Sequence, residues 1–139
     1  MSNVDTHRQL QELFNRRDLD AFDAQVQADL TYTDMSRGLT MKSLDDFKSW
    51  LGEWISAFSD ATVGNPVYLD GGDFTVATFQ ARGTNDGQLG TFAATGRRMD
   101  VPFCEIFRYN ADGKVESGEI YYDQLSIMTQ LGHIEVPSA

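Results

Sequence analysis

Glu105 lies in the run Val101-Pro102-Phe103-Cys104-Glu105-Ile106-Phe107-Arg108-Tyr109, where Val101, Phe103, Phe107 and Tyr109 alternate with Pro102, Cys104, Ile106 and Arg108. A period of two sends successive side chains to opposite faces of a strand, so Glu105 is expected to share a face with aromatic rings. A carboxyl group among Phe and Tyr side chains is costly to ionise. Its pKa is expected to rise, which would fit it to serve as an acid, a base or a neutral hydrogen-bond donor near neutral pH. The plainer expectation is a structural Glu whose head reaches solvent at a sheet edge or pairs with an arginine such as Arg82. A second acid, Asp34, ends the β-prone run Leu30-Thr31-Tyr32-Thr33-Asp34. There it can cap the turn Ser36-Arg37-Gly38 or reach into a cavity from the rim.

The turn that follows the Glu105 strand fixes what faces the carboxyl group. Asn110-Ala111-Asp112-Gly113 has turn chemistry, and a returning strand is expected from about Lys114 to Asp123. With a four-residue loop, Phe103 is expected opposite Ile120 and Glu105 opposite Gly118, so that Gly118, Ile120 and Tyr122 share the aromatic face. A three-residue loop with a bulge would place Glu119, Tyr121 and Asp123 there instead.

The remaining elements follow from periodicity and caps. Val4 to Arg16 reads as an amphipathic helix with Leu10, Leu13 and Phe14 on one stripe and Arg8, Gln11, Glu12 and Asn15 elsewhere. Asp18 to Phe22 looks like the capped start of a second, shorter helix. Ser43, with Asp46 three residues on, opens the most periodic helix of the chain, whose stripe is Leu44, Phe47, Trp50, Leu51, Trp54, Ile55 and Phe58. Trp50 and Trp54, one helical turn apart, are expected in the core or as walls of a ligand pocket. Val67 to Leu69 and Phe74 to Arg82 flank a glycine turn and read as an antiparallel pair. The glycines of Gly83-Thr84-Asn85-Asp86-Gly87 do not form a phosphate cradle, because no helix start follows and Lys is absent. Leu125, Ile127, Met128 and Leu131 fit a closing helix that ends near Gly132.

Composition excludes several functions. A chain of 139 residues is expected to form one domain, spanning 1–139, and nine Phe, five Tyr and two Trp are more than a minimal core requires. The formal charge of −10, with 11 scattered basic residues, opposes nucleic acid and anionic membranes. No run approaches transmembrane length and the first residues lack a signal-peptide pattern, so a cytoplasmic protein is expected. Cys104 is the single cysteine and reads as a small core residue. His7 and His133, near the two ends, are expected to be solvated, and the dispersed acids have no metal-ligand spacing, so neither metal nor cofactor is expected.

The order helix, helix, strand, long helix and strand meander resembles the cone-shaped α+β fold of the nuclear transport factor 2-like superfamily. Within it, the chain resembles the SnoaL-like polyketide cyclase branch. The residues that carry the resemblance are Arg17-Asp18-Leu19-Asp20, Gly83-Thr84-Asn85-Asp86-Gly87, Thr95-Gly96-Arg97-Arg98, Asp112-Gly113-Lys114, and Tyr122-Asp123 followed by Gln130-Leu131-Gly132. It implies a curved antiparallel sheet with about three helices enclosing a pocket. In these cyclases a His on the penultimate strand and an Asp on the last act as acid and base in a cofactor-free aldol closure. Glu105 falls at the His position and Ile120 at the Asp position, and Ile carries no proton. The chain also resembles the ketosteroid isomerases of the same superfamily, with Asp34 at their base position and Glu105 at their protonated-acid position. Their first-helix Tyr has no match, since Leu10 and Phe14 are the candidate inward residues.

The resemblance and the residues together imply a cofactor-independent isomerase or lyase acting on a small apolar or aromatic carbonyl compound. Asp34 is expected to abstract a proton beside the carbonyl, with a neutral Glu105 stabilising the enolate oxygen. Tyr32, Trp50, Trp54, Phe103, Phe107, Ile120 and Tyr122 are expected to contact the substrate. The competing expectation is a non-catalytic binding or assembly module that has lost the cyclase acid and base. A homodimer through the outer face of the sheet is expected in either case.

Overall fold

The computed structural model describes residues 1–135. Helix α1 (Asn3–Asn15) starts at Ser2, whose hydroxyl accepts from the Asp5 N–H while the Asp5 carboxylate accepts from the Ser2 N–H. A single 3₁₀ turn, Asp20–Ala24, stands where a short second helix was expected. Strand β1 (Val26–Asp34) and the short β2 (Leu39–Met41) precede α2 (Leu44–Ala57), which Ser43 caps by accepting from the Asp46 N–H. Then come β3 (Thr62–Asp70), β4 (Phe74–Thr84), β5 (Arg98–Tyr109), β6 (Val115–Tyr122) and α3 (Gln124–Leu131), the last capped by Asp123 and ended by Gly132 at φ 87.

The six strands form one sheet in the order β2-β1-β6-β5-β4-β3. Every neighbouring pair is antiparallel except β1 and β6, which run parallel, so the sheet is mixed rather than wholly antiparallel. The parallel pair arises because α2 and the β3–β5 meander separate β1 from β6, a long crossover of the kind parallel neighbours require. Helix α1 packs against β3 and β4, α2 against β1, and α3 against β5. Among the described residues no helix is long and apolar enough to cross a membrane.

The β5–β6 register corrects the expected one. Phe103 pairs with Tyr122 and Glu105 with Ile120, two residues from the four-residue-loop register. The cause is a five-residue loop, Asn110 to Lys114, followed by a shift between Arg108 and Tyr109. Asn110 builds the loop, its Oδ1 accepting from the Asp112 and Lys114 N–H groups. A displacement of two preserves side-chain parity, so Gly118, Ile120 and Tyr122 still share the face of Glu105.

Gly118 is the gap in that face. A Cβ there would lie 2.6 Å from the Ile106 carbonyl oxygen, 2.8 Å from the Phe107 ring and 3.2 Å from the Tyr32 ring. Its absence lets Tyr32 reach from β1 across β6 towards β5. The Gly83 to Gly87 motif is also structural. Buried Asn85 donates to the carbonyls of Ala57 and Gly87 and accepts from the Thr95 N–H, tying the loop after β4 to the end of α2.

Candidate active site

A cavity of about 80 Å³ lies between α1, α2 and the inner face of the sheet. The repeat of α2 brings Trp50 and Trp54 to its wall, and the alternation of β5 and β6 brings Phe103, Glu105, Phe107 and Ile120. Leu10, Gln11 and Phe14 contribute from α1. Of the lining residues, Phe14, Thr62, Val63, Ala81 and Arg82 are the ones not fully buried, which places the mouth between the C-terminal half of α1 and strands β3 and β4. The apolar lining with few polar groups suits a small-molecule site.

Glu105 is the carboxylate of this cavity. Its Oε1 accepts from Gln11 Nε2 at 3.3 Å and lies 2.9 Å from His7 Nε2, while its Oε2 accepts from the Tyr32 hydroxyl at 2.5 Å. A carboxylate oxygen has two acceptor positions, so both on Oε1 are taken and one on Oε2 has no donor among the described residues. Burial, and then the negative charge of Glu105 with its hydrogen bond, pushes the Tyr32 phenol well above its ordinary range, so Tyr32 stays a donor. Arg82, the solvent-side alternative partner, pairs with Asp100 at 3.2 Å.

His7 was expected in solvent and is instead fully buried. Its ring lies 4.4 Å, centre to centre, from Phe107 and 5.5 Å from Tyr68. Its Nδ1 is 2.7 Å from Thr75 Oγ1, which is 2.8 Å from the Tyr109 hydroxyl, which donates to the Asn3 carbonyl at 3.0 Å. Gln11, read from sequence as outward, is also buried, and its Oε1 accepts from Tyr68 at 2.6 Å. The inward side of α1 therefore carries the polar Thr6, His7 and Gln11 beside Leu10 and Leu13, with Phe14 half-buried at the cavity. His133, the other histidine expected to be solvated, is half-buried, with its ring 4.7 Å from that of Phe92.

Asp34 occupies a different place. It is fully buried and is not among the residues lining the cavity. Oδ1 accepts from the Ser36 and Arg37 N–H groups at 3.1 Å each, and Oδ2 accepts from Trp50 Nε1 at 3.1 Å and the Tyr122 hydroxyl at 2.7 Å. All four acceptor positions are filled by the protein, so a substrate proton would have to displace a donor. The arrangement ties the end of β1 to α2 and β6. Tyr32 and Tyr122, expected at the substrate, stand behind the wall. Tyr32 holds Glu105, and Tyr122 stacks on Phe103 at 4.4 Å and holds Asp34. Burial and the hydrogen bond to Asp34 push the Tyr122 phenol well up.

Among the described residues no group of three or more His, Cys, Asp or Glu is placed to hold a metal ion. The chemistry this site offers is proton transfer at Glu105, in a wall otherwise built of rings and aliphatic groups. Trp54 lines both this cavity and an open pocket beside Arg37 and Glu53, and its indole N–H donates to no group among the described residues.

The architecture recurs in solved structures. IdmH, a candidate polyketide cyclase from Streptomyces antibioticus, superposes with a TM-score of 0.83 at 21% identity, over 95% of this chain and 99% of its own. A candidate SnoaL-like polyketide cyclase from Jannaschia sp. CCS1 gives 0.86 at 20%, over 96% and 93%. A protein of ketosteroid isomerase-like fold from Catenulispora acidiphila, solved with trimethylamine, gives 0.74 at 20%, over 88% of each chain. These likenesses define the fold class as the ketosteroid isomerase-like, nuclear transport factor 2-like cone. Residues 4–131 match the profile of the SnoaL-like polyketide cyclases, and the chain belongs to that family. No curated protein sequence matches it.

Proposed function

We propose that the protein is a cofactor-independent acid–base enzyme of the isomerase or lyase type, acting on a small apolar carbonyl compound, with Glu105 as the group that exchanges the proton. The observation that carries this reading is the placement of one carboxylate, with one unoccupied acceptor position, in the wall of an otherwise apolar cavity. A substrate C–H beside the carbonyl would break, its proton passing to Glu105 Oε2 and its electron pair to the carbonyl oxygen. The enolate would collapse as Glu105 returned the proton to the same or a neighbouring atom, so nothing is oxidised or reduced. Asp34, expected as the base, is here a residue that holds Trp50 and Tyr122 in place.

The test is α-proton exchange of β-tetralone, a small apolar ketone, followed by NMR in D₂O. Catalysed exchange that falls about 10²-fold or more in Glu105→Gln supports the reading. A second reading, a binding module without chemistry, has its own observation, since Ile120 faces Glu105 directly across the ladder where the family carries an acid. Saturable quenching of tryptophan emission by β-tetralone without any exchange would favour it.

The outer face of the sheet exposes Val67, Leu69, Phe74 and Tyr121 beside half-buried Val76 and Ile106. We propose this patch as the surface through which two copies pair. Light scattering at micromolar concentration tests it, and a monomer mass would remove the claim.

A further inference from the structure

The proton positions along the chain from Asn3 to Glu105 follow from the hydrogen-bond directions. A backbone carbonyl only accepts, so the single hydroxyl hydrogen of Tyr109 is used on Asn3. Thr75 must then donate its own hydrogen to Tyr109, and its oxygen can only accept from His7. His7 Nδ1 therefore carries a proton. Across the 2.9 Å gap between His7 Nε2 and Glu105 Oε1 one further proton is required, because two lone pairs would otherwise face each other in a buried site. Whether it rides on nitrogen or oxygen, the pair is neutral overall, as burial at the head of an apolar cavity demands.

We infer that His7 and Glu105 form a single proton-sharing pair, in which His7, its tautomer fixed through Thr75 and Tyr109, is the positioning residue that orients and charges Glu105. This rests on the reading of Glu105 as the proton-transfer group. Donors from Tyr32 and Gln11 favour the charged carboxylate and so draw the shared proton towards His7. That leaves Oε2 ready to accept from substrate, and the imidazolium behind it offsets the charge of the enolate that forms. Asn3, the end of the chain, offers only a carbonyl, so the chain orients His7 and does not carry protons to solvent. The titratable groups that face the pair are Tyr32 from β1, Tyr68 from β3 and Tyr109 from β5, with the Arg8 guanidinium 5.0 Å from the Tyr68 ring centre.

The experiment is nitrogen NMR of the folded protein with ring-¹⁵N histidine, His133→Gln providing the assignment. Wild type is expected to show His7 Nδ1 protonated and Nε2 sharing its proton. Thr75→Ser should keep that pattern, whereas Thr75→Val, which removes the acceptor, should release the tautomer. His7→Gln, which can donate to Glu105 but cannot hold a charge, should lower β-tetralone exchange by about tenfold or more and flatten its pH profile with KM unchanged. An unprotonated Nδ1 in wild type, or His7→Gln exchanging at the wild-type rate, overturns the inference. A protonated Nδ1 and shared proton without any β-tetralone exchange would refute the proposed reaction and leave the pairing standing.

Discussion

His7 Nε2 and Glu105 Oε1 are 2.9 Å apart in the interior, joined from helix α1 to strand β5 across 98 positions of chain. Removing one member of a buried pair leaves the other without its partner, which typically costs about 3–5 kcal/mol. His7→Ala is accordingly expected to lower the unfolding free energy by about that amount in chemical denaturation. Adding Glu105→Leu to it should recover part of the loss. A near-neutral His7→Ala would show that Glu105 does not depend on the imidazole.

Asp34→Asn should act on stability. The new amide would turn N–H groups towards donors that now bond Asp34, either Trp50 Nε1 and Tyr122 or the Ser36 and Arg37 backbone. A loss of about 1–3 kcal/mol is expected, with a change in tryptophan emission. Unchanged stability together with abolished turnover would return Asp34 to the role of base.

Gly118→Val would set side-chain atoms against the Phe107 and Tyr32 rings, where even a Cβ has no room. Overpacking of this kind costs about 1–3 kcal/mol, and Tyr32 should be pushed off Glu105. Thermal denaturation reads the first effect. The second appears as earlier ionisation of Tyr32 in a spectrophotometric titration, and a Tyr32 that titrates as in wild type would contradict it.

The buried phenols predict the alkaline limit of the fold. Burial pushes Tyr68 and Tyr109 up to about 12, and Tyr32 and Tyr122 also lie well above the ordinary value. A raised folded-state pKa contributes stability that is fully present below the unfolded value of about 10 and is lost as pH rises towards the folded one. The unfolding free energy should therefore fall between about pH 10 and 12, with most tyrosinate absorbance appearing together with loss of the helical circular dichroism signal. Full tyrosine ionisation in a folded protein would contradict this.

Much of the fold was legible because its signals are local. The Ser43 cap, the apolar stripe of α2 and the alternation of β5 each lie within one element. Glu105 could be read for the same reason, since its own strand shows which face it shares. The register was not legible, because it depends on the five-residue loop and the shift beside Tyr109. His7 was hidden by its position near the chain start and by a partner on a distant strand. The signal that could have found it is the spacing of His7, Leu10, Gln11 and Phe14, which puts two polar residues on the inward stripe of an amphipathic helix. Asp34 was read as a base because nothing beside it in the sequence announces that Trp50 and Tyr122 converge on it.

Ring-¹⁵N NMR of His7 in wild type and in Glu105→Gln asks whether Glu105 and His7 act as one proton-holding unit at the head of the cavity. The expected result is an Nε2 signal that shifts on Glu105→Gln while Nδ1 stays protonated through Thr75. An Nε2 signal unchanged by Glu105→Gln would contradict it.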